Sequence, residues 1–322
     1  MVAERDVAHR FRAMASDVSV RVVDPTRDPS EAIAQVESIF RDIERTCSRF
    51  DDSSDLMRAN AQPAEWTIVD PACFAAIELA HAAYERTSGA FDPRVLRTLR
   101  SLGYDRSLNF SAGNVTTAAT AMPESAVAQP WTPEFDRARS RVRLGSDPID
   151  LGGIGKGYAV RRGIEVLAGL GRAALVEAGG DLATYGDGPA RPAGQTRAWR
   201  AAVEDPSGGP GPIAVLDVSD AAVATSSIRL RSWRAGDRDV HHLLDPRTGR
   251  SAESGLLSVT VVDSDPAWAE VWTKAAFLQG ASDIAAFVER RGLSAMWVDE
   301  SGTVSSSPSL RDRILWEAAD VQ

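Results

Sequence analysis

A glycine-rich stretch carries the clearest chemical signal in the sequence. From Ser146 to Ala159 it reads Ser-Asp-Pro-Ile-Asp-Leu-Gly-Gly-Ile-Gly-Lys-Gly-Tyr-Ala, with four glycines between Gly152 and Gly157. Because glycine has no side chain, the backbone can approach a ligand closely, and a helix that follows offers unpaired N–H groups to a phosphate. Lys156 adds a mobile positive charge. The stretch therefore suits a phosphorylated ligand.

Asp150 limits the kind of phosphate site that this stretch could form. A carboxylate there repels phosphate unless a metal ion, or a hydrogen-bonding sugar or base, lies between them. The spacing also differs from both common nucleotide loops, because it lacks the Lys-Ser/Thr ending of a P-loop and the span of Gly-x-Gly-x-x-Gly. Glycine content alone fits a simple tight turn equally well, so both alternatives stay open on the glycines alone.

The flanking residues indicate which elements hold this stretch. Residues 141–144 and Ile149 read as strand, whereas Tyr158, Ile164 and Leu167 recur at spacings that suit one helical face. Alternating strands and helices along the chain predict an α+β fold with mixed sheets flanked by helices, in one large domain or two closely joined lobes. Helices are expected near 28–47, 71–87, 267–280 and 284–290, and strands at 9–16, 18–23, 173–176, 199–206, 213–216, 221–224, 257–262 and 295–298, the last closing the fold.

Length and charge restrict the function classes. A chain of 322 residues can bury a large core, and its formal net charge is -9. This charge argues against nucleic acid or an anionic membrane as the main partner, so an anionic ligand must meet a local positive site. The N-terminus lacks the apolar run of a signal peptide, and no stretch is apolar enough to cross a bilayer. We therefore expect a soluble cytoplasmic protein.

Two features receive no chemical role. Cys47 and Cys73 lie on predicted helical faces, which favours buried thiols over a disulfide. Residues 107–140 are rich in Ala, Ser, Thr and Pro without clear periodicity, so we expect a surface excursion or a flexible segment there.

The string from Asp150 to Ala159 resembles the signature of the FAD:protein FMN transferases, the ApbE family. The resemblance spans Met14 to about Gly280, and it implies an ApbE-like domain over residues 9–316. Members of that family split the diphosphate of FAD and join the FMN half to a Thr or Ser hydroxyl of a target flavoprotein, with AMP leaving. The further motifs follow in the family's order: the segment Ser48–Asn60, Ala90-Phe-Asp-Pro93, Gly179-Gly-Asp181, Thr225-Ser-Ser227 and His242-Leu-Leu-Asp-Pro-Arg-Thr-Gly249.

The resemblance also implies roles for single residues. His242 would take the proton of the acceptor hydroxyl, since a histidine with a pKa near neutrality suits a general base. His241 remains an alternative, although the Leu-Leu-Asp-Pro register favours His242. The positions carried over as FAD-binding are Met14, Phe50, Ala90, Phe91, Asp92, Asp150, Lys156, Thr225, Ser226 and Leu243.

The helix after Pro266 departs from the family pattern. The family's Ala-Asp-Ala-x-x-Thr-Ala-x-Phe-x-x-Gly uses Asp and Thr to hold Mg2+, whereas this chain has Glu270 and Lys274 at those places. Glutamate can ligate a hard cation, but an ammonium cannot. Two outcomes are possible. In the first, Glu270 and the carbonyl of Gly153 face the metal, Thr273 or waters complete its shell, and Lys274 points to the phosphates. In the second, Lys274 pairs with Glu270 and puts its charge where the metal would lie. We therefore expect weaker Mg2+ dependence than is usual for the family, and Lys274 becomes a candidate catalytic residue.

Three activities follow from the sequence. The first and favoured one is flavinyl transfer from FAD to an acceptor flavoprotein with a Thr or Ser target. The second is a flavin-binding module without catalysis, and the third is hydrolysis of FAD to FMN and AMP. Neither nucleic acid nor a membrane is an expected partner.

Overall fold

The chain combines eight short to medium α-helices with many strands in the residues that the structure describes. The computed structural model describes residues 4–110, 115–119, 129–190 and 197–318. The helices are α1 (Ser30–Cys47), α2 (Asp55–Ala61), α3 (Pro71–Arg86), α4 (Leu96–Ser101), α5 (Gly155–Leu167), α6 (Pro266–Phe277), α7 (Ile284–Arg291) and α8 (Pro308–Arg311). The strands are β1 (Asp6–Ala13), β2 (Ser16–Pro25), β3 (Thr67–Ile68), β4 (Thr116–Thr117), β5 (Glu134–Asp136), β6 (Arg141–Arg143), β7 (Gly171–Ala178), β8 (Asp181–Tyr185), β9 (Arg200–Glu204), β10 (Pro212–Asp217), β11 (Ala222–Ser227), β12 (Ser232–Ala235), β13 (Arg238–His241), β14 (Leu244–Asp245), β15 (Arg250–Ser251), β16 (Leu256–Asp263), β17 (Ser294–Asp299), β18 (Val304–Ser306) and β19 (Ile314–Glu317).

The chain divides into two compact units. Unit 1 consists of Met1–Arg41, Lys156–Ser226 and Gly255–Gln322, and unit 2 of Asp42–Gly155 and Ser227–Ser254. Both units combine helices with sheets, so the predicted α+β class is confirmed.

Unit 1 is built on an eight-stranded sheet. Its strand order is β1-β2-β7-β8-β11-β16-β17-β18. Alternate residues of β2 are fully buried, which explains the alternating valines of the sequence. Helix α5 packs tightly against the sheet, because a Cβ at Gly163 would lie 3.2 Å from Val36 of α1 and 3.3 Å from Val176 of β7. The sheet thereby fixes where the first turn of α5 lies.

The end of unit 1 differs from the prediction. Residues 295–298 form part of β17, but they do not close the fold, because β18, α8 and β19 follow. Strand β19 joins β10 and β9 in a three-stranded sheet, whose core includes Trp199 and Leu216. The edge strand β19 keeps Leu315 and Trp316 exposed.

Unit 2 contains small sheets and the helices α2, α3 and α4. The sheets have the orders β3-β6-β5, β13-β12-β4 and β14-β15. The described parts of 107–140 belong to this framework, since β4 and β5 pair within it and Trp131 donates its indole N–H to the carbonyl of Leu144 at 2.8 Å. The rest of the predicted excursion, 111–114 and 120–128, lies outside the described residues.

Both cysteines are free thiols, as predicted, with Cys73 buried and Cys47 partly covered. In the described part of the chain, no helix has both the length and the apolar character needed to cross a membrane.

Candidate functional site

The first turn of α5 carries the end of the glycine-rich stretch. The backbone N–H of Gly157 donates to Glu270 Oε2 at 2.8 Å. A Cβ at this position would lie 2.5 Å from the carbonyl oxygen of Pro266, because the starts of α5 and α6 touch. The close approach therefore requires glycine. It also gives one of the helix-terminal N–H groups to a carboxylate of the same chain, so this group cannot serve a free phosphate.

Four ionisable side chains of unit 1 meet beside this turn: Lys156, Asp181, Glu270 and Lys274. Lys156 Nζ pairs with Asp181 Oδ2 and lies 3.2 Å from Glu270 Oε1. Lys274 Nζ lies 3.5 Å from the same Oε1 and donates to the carbonyl oxygen of Glu270 at 3.2 Å. Two ammonium groups therefore flank one carboxylate, an arrangement that we call the lysine–carboxylate cluster.

Burial differs between the acids and the amines of this cluster. The side chains of Asp181 and Glu270 are 4% and 3% exposed, whereas those of Lys156 and Lys274 are 13% and 19% exposed. The carboxylates therefore act as the anchored inner groups. The lysine side chains keep a part of their surface open to a ligand.

The charges of the cluster shift its pKa values. Burial alone would raise the pKa of Glu270, but Lys156, Lys274 and the Gly157 N–H outweigh it and hold that pKa at about 2. Burial and the neighbouring Glu270 raise the pKa of Asp181 in spite of Lys156. Burial lowers the pKa of Lys274, against the attraction of Glu270. Glu270 is thus the permanent anion of the cluster at neutral pH.

The residues expected to ligate Mg2+ do not fit a divalent ion. Two ammonium groups already neutralise the carboxylate of Glu270. Thr273 is fully buried, donates its hydroxyl proton to the Glu270 carbonyl at 2.8 Å and shares a second hydrogen bond with Ser226 Oγ at 2.7 Å. Lys274 does pair with Glu270, as the second of the two outcomes describes, whereas the position of its charge relative to FAD stays a prediction.

Strand β11 supplies two more of the predicted residues. Ser226 is buried and its hydroxyl bonds Thr273, whereas Thr225 is exposed and its hydroxyl lies 2.9 Å from Thr260 Oγ1. The backbone N–H of Thr225 donates to Asp181 Oδ1 at 3.4 Å. The Thr-Ser pair therefore links the strand to the lysine–carboxylate cluster on one side and to α6 on the other.

Asp150 belongs to unit 2, where it meets an arginine. Its Oδ2 lies 3.3 Å from Arg49 Nη1 and accepts from the N–H of Gly152 at 3.2 Å, and both ionic side chains are only 9% exposed. The guanidinium of Arg49 lies over the rings of Tyr104 and Phe50, at 4.1 and 4.5 Å from their centroids. Phe50 keeps 42% of its surface exposed and is the ring of this stack that a planar ligand can reach.

An Asp-Pro-Arg turn occurs twice in unit 2. At Asp92, the carboxylate accepts from the N–H and Nε of Arg94 at 2.9 and 3.0 Å and from its Nη2 at 2.7 Å. At Asp245, the contacts with Arg247 are 2.9, 3.0 and 2.8 Å. Both carboxylates are thus occupied by their own turns. The Asp-Pro-Arg repeat can be read from the sequence, but the structure is needed to show that the two turns make the same hydrogen bonds.

The two histidines lie at the end of β13. The ring of His242 places Nδ1 3.3 Å from the carbonyl oxygen of Arg231, and the ring of His241 places Nε2 3.1 Å from that of Ala252. A carbonyl only accepts, so His242 carries its proton on Nδ1 and, when neutral, presents a lone pair at Nε2. Burial lowers the pKa of His241. Both histidines remain candidates for the base, and His242 has the tautomer that the role requires.

The other predicted FAD-binding residues lie at turns or in the core. Met14 starts the turn between β1 and β2 with a positive φ of 52°, an uncommon conformation outside glycine. Phe91 is buried and its backbone N–H donates to Thr87 Oγ1 at 2.9 Å, Leu243 is buried next to β14, and Ala90 is half-buried. Gly153 lies in the turn before α5.

Sequence reasoning missed two residues of these arrangements. Asp181 stands in the Gly-Gly-Asp motif but received no role, and its contact with Lys156 crosses 25 residues of sequence. Arg49 carried no signal beyond its position next to Phe50.

Known proteins resemble large parts of this chain. The sequence model of the ApbE family matches residues 14–297. The FAD:protein FMN transferase of Treponema pallidum is 26% identical over 308 residues, which cover 90% of this chain and 83% of that protein. The FAD:protein FMN transferase of Salmonella typhimurium is 28% identical over 156 residues, 48% of this chain and 43% of that protein.

Solved structures share the fold. The ApbE protein of Thermotoga maritima matches with a TM-score of 0.81 at 29% identity, covering 96% of this chain and 99% of that one. The flavinyl transferase ApbE of Pseudomonas stutzeri, at 23% identity, has the same fold with a TM-score of 0.76 and coverage of 96% and 97%. The predicted ApbE-like fold is therefore confirmed, and the chain belongs to the ApbE family.

Proposed function

We propose that this protein is an FAD:protein FMN transferase. The match to the ApbE family across residues 14–297 carries the proposal, because it includes every motif quoted from the sequence between Ser48 and Gly249. Relatives that bear the name FAD:protein FMN transferase support it. In the proposed reaction, a Thr or Ser hydroxyl of an acceptor flavoprotein attacks the phosphorus on the FMN side of FAD. The new phosphoester bond forms as the bond to the AMP phosphate breaks, and AMP leaves.

His242 is the proposed base of this reaction. Its Nε2 lone pair accepts the proton that the acceptor hydroxyl loses as its oxygen attacks phosphorus. The hydrogen bond from Nδ1 to the carbonyl of Arg231 fixes the tautomer and the ring orientation. The leaving phosphate of AMP is a weak base, so no acid is required to protonate it.

The remaining roles concern binding and charge. In unit 1 we assign the diphosphate of FAD to Lys156 and Lys274, and further FAD contacts to Met14, Thr225 and Ser226. In unit 2, Phe50 offers an exposed ring for the flavin or the adenine, and the Asp92 turn contributes through its backbone, since Arg94 occupies its carboxylate. Ala90, Phe91, Asp150 and Leu243 complete the proposed FAD-binding positions. Phosphoryl transfer depends mainly on such positioning and charge neutralisation.

Mass spectrometry tests the proposed activity directly. The purified protein is incubated with FAD and a recombinant flavoprotein domain that carries FMN on a threonine in its native form. We expect the acceptor to gain one FMN and AMP to appear in equal amount, whereas a Thr→Ala acceptor gains none. AMP without acceptor labelling would instead establish hydrolysis, and FAD binding without either product would establish a binding module.

The role of His242 has its own test. His242→Ala should lower transfer at least 100-fold, within the range typical of general bases, while FAD affinity stays within about threefold. His241→Ala is the matched control from the adjacent position. Full transfer by His242→Ala together with loss by His241→Ala would reassign the base to His241.

A further inference from the structure

Lysine is almost absent from this chain. Of its 36 lysine and arginine residues, only Lys156 and Lys274 are lysines, and every other basic side chain of this class is an arginine. These two positions are 118 residues apart in the numbering, yet both ammonium groups contact the same carboxylate oxygen, Oε1 of Glu270, at 3.2 and 3.5 Å. The fold thus gathers both lysines in one cluster.

The chemistry of the two cations explains why lysine suits this place. An ammonium is a compact point charge with three donors that can be aimed separately, whereas a guanidinium is a wide planar fork. In a divalent metal site, one small cation holds a carboxylate on one side and phosphate oxygens on the other. A lysine ammonium can hold both in the same manner, because a contact with one carboxylate leaves donors for a second anion.

Lys274 has the contacts that this role needs. The hydrogen bonds of its Nζ within the described residues go to Glu270 alone, to the carbonyl at 3.2 Å and to Oε1 at 3.5 Å. The long second bond and the 19% exposure of the side chain leave the ammonium able to accept another anionic partner. Glu270 is held independently by Gly157 and Lys156, so it does not need Lys274 to stay in place.

We propose that Lys156 and Lys274 form a resident cation pair that takes the place of a divalent metal ion, and that Lys274 binds the diphosphate of FAD directly. The proposal rests on the proposed flavinyl transfer and names the device that neutralises its substrate. It also accounts for the poor fit of Glu270 and Thr273 to Mg2+. A single ammonium brings half the charge of Mg2+, so the pair replaces the ion only because Lys156 lies at the same carboxylate.

Nuclear magnetic resonance gives a readout that does not depend on turnover. Protein labelled biosynthetically with [ε-13C]lysine should show two side-chain signals, because the sequence has two lysines. Lys274→Arg removes one signal and thereby assigns both. We expect ADP and FAD, added in EDTA, to shift the Lys274 signal, with no further change when MgCl2 replaces EDTA. A Lys274 signal that moves only in the presence of MgCl2, or not at all, would overturn the proposal.

Transfer assays supply the second arm. Wild-type transfer in EDTA should stay within about twofold of transfer in MgCl2. The transfer rate of Lys274→Met should be about 100-fold lower than that of wild type, as for the removal of one transition-state donor. The transfer rate of Lys274→Thr should rise about tenfold or more when MgCl2 replaces EDTA. Arg290→Met, at an exposed position of α7, is the matched control for charge and should change nothing. Melting curves check that each variant is folded.

The two proposals fail in different ways. Wild-type transfer that disappears in EDTA and returns with MgCl2 overturns the cation pair and leaves flavinyl transfer intact. Absence of transfer in both buffers overturns the proposed function, and the lysine signals still decide whether Lys274 binds the diphosphate.

Discussion

The two units pair their buried carboxylates with different cations. In unit 2, Asp55, Asp150 and Asp245 each pair with an arginine, whereas in unit 1 Asp181 and Glu270 pair with lysines. An arginine fork can satisfy both oxygens of a carboxylate and stack on a ring, which suits a fixed structural pair. A lysine holds the acid with a point charge and keeps donors for another anion. The difference fits our proposal that the lysines of unit 1 bind the substrate, whereas the arginine pairs of unit 2 hold their carboxylates in place.

The largest effect should follow from removing the shared anion of unit 1. Glu270→Gln leaves two ammonium groups close together without their counter-ion, and breaking a buried pair in this way typically costs about 3–5 kcal/mol. Urea unfolding followed by circular dichroism measures the loss. Glu289→Gln, on the exposed face of α7, is the control and should stay within about 0.5 kcal/mol of wild type. Equal stability of the two variants would mean that the cluster contributes nothing to folding.

The pH dependence of stability sharpens the same contrast. The pKa of Glu270 is held at about 2, below its ordinary 4.5, so its stabilising contribution is present above pH 4.5 and is lost as the pH falls towards 2. A pKa shift of this size corresponds to a contribution of up to about 3 kcal/mol to the free energy of unfolding. Over that window the free energy of unfolding should fall more steeply for wild type than for Glu270→Gln. Subtracting the curve of free energy of unfolding against pH for Glu270→Gln from that for wild type removes the contribution of the other acids. Parallel curves would contradict the depressed pKa of Glu270.

Exchanging the cations tests the comparison in both directions. Arg49→Lys loses the stack on Tyr104 and should lower the free energy of unfolding by about 1 kcal/mol. Lys274→Arg keeps the charge but brings a wider head group, so stability should change little, whereas transfer should fall about tenfold. The readouts are urea unfolding and the initial rate of FMN transfer. If Arg49→Lys lowered transfer and Lys274→Arg lowered stability instead, the assignment of a structural role to the arginine pairs and of substrate binding to the lysine pairs would be wrong.

Much of the fold followed from the sequence, because its long elements are strongly periodic. The stripe of α1 and the alternation of β1 and β2 predicted their positions within a few residues. The short strands β3, β4 and β5 have only two or three residues, too few for a period to be read. Strands β18 and β19, with three and four residues, were also missed because they are short.

The candidate site was predictable only where its contacts are local. Lys274 follows Glu270 by four residues, so their pairing could be expected from helix geometry. The N–H of Gly157 and the ammonium of Lys156 reach Glu270 across 113 and 114 residues. Such contacts depend on how α5 packs against α6, which no local pattern encodes.

The smallest effects concern the arginines at the surface of unit 2. Arg58 pairs with Asp55, and Arg247 with Asp245, but their side chains are 50% and 75% exposed. Solvent screens such pairs, so Arg58→Lys and Arg247→Lys should each change the free energy of unfolding by less than about 0.5 kcal/mol, measured by urea unfolding. If both changes in the free energy of unfolding are small, stability does not require arginine at Arg58 and Arg247. The placing of the only two lysines in the lysine–carboxylate cluster would then need another reason, such as ligand binding. Losses as large as that of Arg49→Lys would instead make arginine a structural requirement throughout unit 2, and the scarcity of lysine would then carry no information about the cluster.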